Sequence, residues 1–150
     1  MNHNITIMLF ALTGGILLSI QGGLNAQLGV LLKNPLLATL AAYIFSTFFA
    51  LVIVFFSTKE MPTIQQVKEI PFYLWFTGAL FSVLGISLYY YTIPKLGIST
   101  MISIGLFGQM IFSVIAGHFA WFGLPREPAD IKRIAGVSAM IIGIYLINKK

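Results

Sequence analysis

The chain has 150 residues, of which 58% are hydrophobic and only 9% charged, and its formal net charge is +5. Soluble domains average about 25% charged residues, so this composition excludes a water-soluble globule, and the lack of cysteine excludes disulfides and thiolate metal sites. The positive balance does not mark a nucleic-acid binder, because the lysines and arginines are spread over the connections and form no basic face.

Apolar stretches at about 5–32, 36–57, 71–92, 97–121 and 131–148 fill almost the whole chain, with charged side chains gathered in the connections and at the ends. A helix needs roughly 20 mostly apolar residues to cross a bilayer, and each stretch is about that long. The expected fold is therefore an all-α membrane protein with five transmembrane helices, forming a single transmembrane domain over residues 1–150. Barrel strands would alternate apolar and polar residues, whereas Leu36–Phe56 is apolar on every side. Backbone groups in lipid must also be satisfied internally, which favours helices. No Lys or Arg precedes the first stretch and no small-residue cleavage pattern follows it, so it reads as a retained helix and not a signal peptide.

The first span reads GGILLSIQGGLNAQLG across Gly14–Gly29. At 100° per residue, Ala11, Gly15, Ser19, Gly22, Gly23, Ala26 and Gly29 fall within an arc of about 120°. Small residues on one face let helix backbones approach closely in a membrane. Gln21 and Asn25, four apart, project together beside that stripe. An unpaired amide in lipid costs several kcal/mol, so the pair either bonds neighbouring helices or lines a polar cavity. The span ends near Lys33-Asn34, and Pro35 suits the first turn of the next helix, where a missing N–H costs nothing.

The longest connection, TKEMPTIQQVKEI at 58–70, has room for a short interfacial helix after Pro62. The third span opens with Pro71, Phe72, Tyr73 and Trp75, aromatics suited to the headgroup level. It closes at Tyr89-Tyr90-Tyr91, followed by Pro94, Lys95 and Gly97. These tyrosines read as an interface belt or as a cation-binding aromatic wall. The fourth span carries Gln109 near its midpoint and Ser113 one turn on, with Gly105, Ala116 and Gly117 on the same face. Gln109 is either a helix-to-helix bonder or a substrate contact. Gln21 and Gln109 meeting across a cavity would be the simplest polar site open to this chain.

His118, on roughly the opposite face, is a candidate proton switch or an interfacial hydrogen bonder. Trp121-Phe122 end the span, and Gly123, Pro125 and Pro128 break the chain. Asp130 is placed to N-cap the fifth span, in which Ala135, Ala139 and Gly143 form another small-residue seam before Lys149 and Lys150. His3 and His118 are the only histidines, too few for a metal site, and no cofactor is expected. No nucleophile–base pair or acid pair lies within the spans, which argues against an enzyme.

Five spans place the termini on opposite sides of the membrane. The N-terminal side holds Lys59, Lys68, Arg126, Lys132 and Arg133, and the other holds Lys33, Lys95, Lys149 and Lys150. The positive-inside rule orients a protein by this difference, which here is a single charge. Both a weakly fixed orientation with the N-terminal side inside and insertion both ways as an antiparallel dimer are compatible with it.

Several motifs together resemble the YdcZ-like branch of the drug/metabolite transporter superfamily, over essentially the whole length. They are Gln21 and Asn25 followed by Leu28-Gly29, NPLLA at Asn34–Ala38, IPKLG at Ile93–Gly97, Gly108-Gln109, and HFAWFGLP at His118–Pro125. The resemblance implies a half-size bundle of five helices, a bacterial inner-membrane exporter that dimerises to complete a transport path. In that branch an acidic residue commonly precedes the His-Phe pair, but here the position is Gly117. The small multidrug relatives use a glutamate in the first helix, and this first span has no acid.

The expected function is a secondary transporter or exporter of a small metabolite or lipophilic compound, working as a homodimer by alternating access. Substrate would lie between the first, third and fourth spans, on Gln21, Asn25, Tyr90, Gln109 and Ser113. Without an intramembrane acid, a neutral, zwitterionic or anionic substrate is easier to support than a bare cation. The alternative is a non-transport membrane subunit or scaffold, in which the same amides only hold helices together.

Overall fold

The computed structural model describes residues 3–149, so Met1, Asn2 and the C-terminal Lys150 lie outside the described residues. In chain order the helices are α1 (His3–Leu31), α2 (Pro35–Ser57), α3 (Ile64–Glu69), α4 (Thr77–Leu96), α5 (Ile98–His118) and α6 (Ile131–Asn148), with no strand among the described residues. Short 3-10 turns at Phe72–Trp75 and Trp121–Gly123 precede α4 and α6. Five segments are long and apolar enough to cross a membrane, the third running from Phe72 to Leu96.

Local chemistry sets the boundaries. At the end of α1 the Asn34 N–H donates to the Gly29 carbonyl and the Lys33 N–H to the Val30 carbonyl, both at 3.0 Å. This is a Schellman ending, which needs a left-handed residue at the position of Lys33, and Lys33 has φ 54°. Asn34 then caps α2, its side chain accepting the Leu36 N–H at 2.9 Å, and Pro35 takes the first turn as expected. A short helix does form after Pro62, started by a reciprocal pair: the Gln66 N–H reaches the Thr63 hydroxyl and the Thr63 N–H reaches the Gln66 amide oxygen. Asp130 caps α6 by accepting the Arg133 N–H at 2.9 Å.

Two boundaries differ from expectation. α4 does not close at Tyr91 but continues through Pro94 to Leu96. Proline lacks only its own N–H bond to the carbonyl four residues back. That loss is tolerable so close to the helix end, and Gly97 at φ 84° makes the break. α5 stops at His118, short of Trp121, because Ala120 (φ 53°) and Phe122 (φ 61°) are left-handed and cannot continue a right-handed helix.

The chain divides into two compact units, Met1–Lys95 and Leu96–Lys150. In the first, α1 and α2 form a hairpin. Its seam buries Ala26 (1% exposed) and Ala38 (0% exposed). A Cβ on Gly29 would lie 3.4 Å from the Pro35 Cα and 3.5 Å from the Ala38 Cβ, and one on Gly22 would lie 3.5 Å from Ile93. The small-residue stripe thus becomes a helix seam in its C-terminal half, whereas Gly14 and Gly15 have nothing within 4 Å. In the second unit α5 packs on α6, and Met101 and Ala116 of α5 are buried. Elsewhere large apolar side chains such as Phe48, Phe55, Phe56 and Phe81 are exposed. Surface of this kind would be a liability in water but suits contact with lipid.

Candidate functional site

In α1 the four-residue spacing does bring Gln21 and Asn25 to one side, and Tyr90 of α4 joins them. The Asn25 Nδ2 donates to the Tyr90 hydroxyl at 2.9 Å, and the Gln21 side chain lies at the same phenol. Tyr90 is only 2% exposed, so the belt reading fails for it: its ring is packed inside the unit and its polar tip is used by an amide. The belt reading suits Tyr91 instead. That ring is exposed and carries the Lys95 ammonium 3.4 Å from its centroid, the arrangement of an amphipathic side chain reaching for the membrane surface.

A second polar seam joins α2 to α4. The Thr39 hydroxyl donates to the Pro35 carbonyl at 3.0 Å and lies 3.0 Å from the Ser87 hydroxyl. A hydroxyl has one proton, so Ser87 is the donor of the second bond. Tyr43 and Ser82 bond through their hydroxyls further along. The two contacts advance along α2 while retreating along α4, so the helices are antiparallel. Thr39 and Tyr43 were not among the expected site residues. Their signal was available in the spacing of Thr39, Tyr43 and Ser46, which puts the polar groups of an otherwise apolar helix on one face.

Between α1 and α2 lies an open groove of about 380 Å³, lined by Gln21, Asn25, Leu28, Ala41, Ala42, Phe45, Ser46 and Phe49. Gln21 is ten residues before the end of α1, or about 15 Å at 1.5 Å per residue. That is half of a hydrocarbon core roughly 30 Å thick. The wall holds no formal charge. Its amides and hydroxyl can fix the orientation of a guest, and Phe45 and Phe49 offer apolar faces.

Gln109 and Ser113 lie on α5, in the second unit, and both are exposed. The Ser113 hydroxyl donates to the Met110 carbonyl of its own helix at 2.9 Å. His118 ends α5, where its Nδ1 accepts the Ala129 N–H at 3.2 Å. This is the hydrogen-bonding arrangement.

The turn after α5 is tied down around Gly117. The Gly117 carbonyl accepts from the Ala120 N–H at 3.2 Å and the Glu127 N–H at 2.8 Å. Glu127 pairs with Arg133 at 2.7 Å, and the same guanidinium donates to the Glu127 carbonyl at 2.9 Å. A Cβ on Gly117 would lie 3.3 Å from the Glu127 Cβ and 3.9 Å from its Oε2. The space that a side chain at 117 would take is therefore already bounded by a carboxylate from the loop. Gly117→Ala is expected to displace the 124–129 segment and cost about 1–2 kcal/mol by overpacking. The check is a lower melting temperature in detergent, with a smaller loss when Gly117→Ala is made in a Glu127→Gly background, which removes the Cβ it meets.

Five apolar spans define a multi-pass α-helical membrane protein, and the groove on its first unit holds amides and a hydroxyl but no formal charge. The family model described as "Putative inner membrane exporter, YdcZ" matches residues 6–146. The chain belongs to this family, and its five apolar spans make it a multi-pass protein of the inner membrane. No curated protein and no solved structure matches the chain.

Proposed function

We propose that this chain is a secondary transporter that exports a small metabolite or lipophilic compound, working as a homodimer by alternating access. The observation that supports it most is the pair Gln21 and Asn25 on the wall of a groove at half-membrane depth. Amides at that depth are costly unless they bond something, and a wall position makes a passing substrate one such partner. In this reading Tyr90 holds Asn25 in place through its hydroxyl. Rocking of packed helices around a fixed midplane site would expose the groove to each side in turn.

The test is efflux from proteoliposomes loaded with a compound library, comparing the natural chain with Gln21→Leu and Asn25→Leu. Loss of flux by tenfold or more, with the dimer intact by cross-linking, supports the transporter. Dissociation of the dimer with unchanged flux instead supports the scaffold, in which these amides only join helices.

A further inference from the structure

We propose that the α1–α2 groove selects uncharged molecules that donate hydrogen bonds, of the class of small aryl or alkyl amides and alcohols, over organic cations and carboxylates. This rests on the transporter reading above and names the substrate class it would carry. Three observations converge on it.

The first is the absence of any counter-charge. The groove wall contains no acid or base, and the charged residues of the first unit are Lys33, Lys59, Glu60, Lys68, Glu69 and Lys95. They stand in the loops between the spans, in the short helix α3 (Lys68 and Glu69) or, for Lys95, in the last turn of α4. An ion moved to mid-depth beside amides and phenyl rings would lose its hydration without gaining a counter-charge, so charge of either sign is penalised.

The second observation is the direction of the Asn25–Tyr90 bond. The Asn25 Nδ2 is committed to the phenol, so the side-chain carbonyl oxygen is the end of the amide that Tyr90 does not use. Asn25 also lines the groove. What the pair leaves for a guest is an oriented acceptor, which calls for an N–H or O–H on the ligand. Tyr90 is the positioning residue here: it does not line the groove but sets which end of the amide is used.

The third is size and shape. A volume near 380 Å³ is at the lower end of the roughly 300–1,000 Å³ range of small-molecule sites. Phe45 and Phe49 lie one turn apart on α2 and both line it. That suits a guest with a single ring or a short alkyl body.

Four probes of nearly constant shape separate the terms: phenylacetamide, its N,N-dimethyl derivative, phenylacetate and phenethyltrimethylammonium. Binding to the purified dimer in nanodiscs is read by saturation-transfer NMR, with Asn25→Leu and Tyr90→Phe as variants. Phenylacetamide is expected to bind at least tenfold more tightly than the dimethyl derivative and than either ion. Asn25→Leu is expected to abolish that preference for N–H groups, and Tyr90→Phe to weaken it. A tighter fit for the cation or the carboxylate, or no effect of methylation, overturns the proposal while leaving the groove as a transport site. Failure of all four probes to bind overturns the groove itself, and with it the reading on which the proposal rests.

Discussion

Tyr90→Ala is expected to destabilise the first unit by about 3–5 kcal/mol, the range for removing a large buried aromatic side chain. Tyr90 is 2% exposed and is the largest fully buried side chain among the described residues, so little of the space can be refilled by movement toward lipid. Ile93, one turn away on α4, is itself packed against Gly22 and cannot collapse into the gap without leaving that contact. The substitution also strips Asn25 of its acceptor.

Tyr90→Phe separates the two losses. It keeps the ring and removes only the hydroxyl, and side-chain hydrogen bonds within membrane proteins are worth about 0.6 kcal/mol on average. Circular dichroism melts in detergent should show a drop of about 10 °C or more for alanine and of a degree or two for phenylalanine. Equal melting of all three proteins would mean that Tyr90 is not packed as described.

Gly29→Leu is the second substitution with a large expected effect. Gly29 faces backbone, not the flexible end of a side chain: the Pro35 Cα would be 3.4 Å from a new Cβ, and Ala38 is 3.5 Å away on the same neighbour. A leucine adds three further carbons where the α1–α2 turn closes. Neither Pro35, locked in φ, nor the fully buried Ala38 can yield without opening the hairpin. The cost should be about 3 kcal/mol, the upper end of overpacking, and the Asn34 N–H bond to the Gly29 carbonyl should exchange faster with solvent deuterium. Gly14→Leu is the internal control. It lies on the same helix with nothing within 4 Å, and it should leave both the melt and the exchange unchanged.

Much of the site was legible before the fold. The spacing of Gln21 and Asn25 placed both amides on one side of α1, and the structure puts both on the groove wall. Asp130 and Pro35 were readable as helix starts because capping is local chemistry, and both hold. The Tyr89–Tyr91 run was not resolved by local rules. Tyr90 and Tyr91 have the same composition and nearly the same depth, yet one is buried on Asn25 and the other exposed beneath Lys95. The 100° between them decides, and which direction is inward depends on where α1 crosses α4. The role of α2 was missed for a related reason. Ala41, Ala42, Phe45 and Phe49 line the groove, but their apolar character is shared with the lipid-facing side of the same helix.

The sequence by itself determined that this chain spans a membrane five times, where its spans begin and end to within a few residues, and that no acid lies within them. Those properties follow from the cost of each residue in lipid, which is paid position by position. Only the tertiary structure decided that Asn25 is held by Tyr90, that Thr39 and Tyr43 answer serines on α4, and that α2 is the second wall of the groove. In water an amphipathic stripe marks the inward face of a helix. In a bilayer the core and the solvent are equally apolar, so partner choice rests on close packing and a few hydrogen bonds between helices, and these exist only once the helices have met.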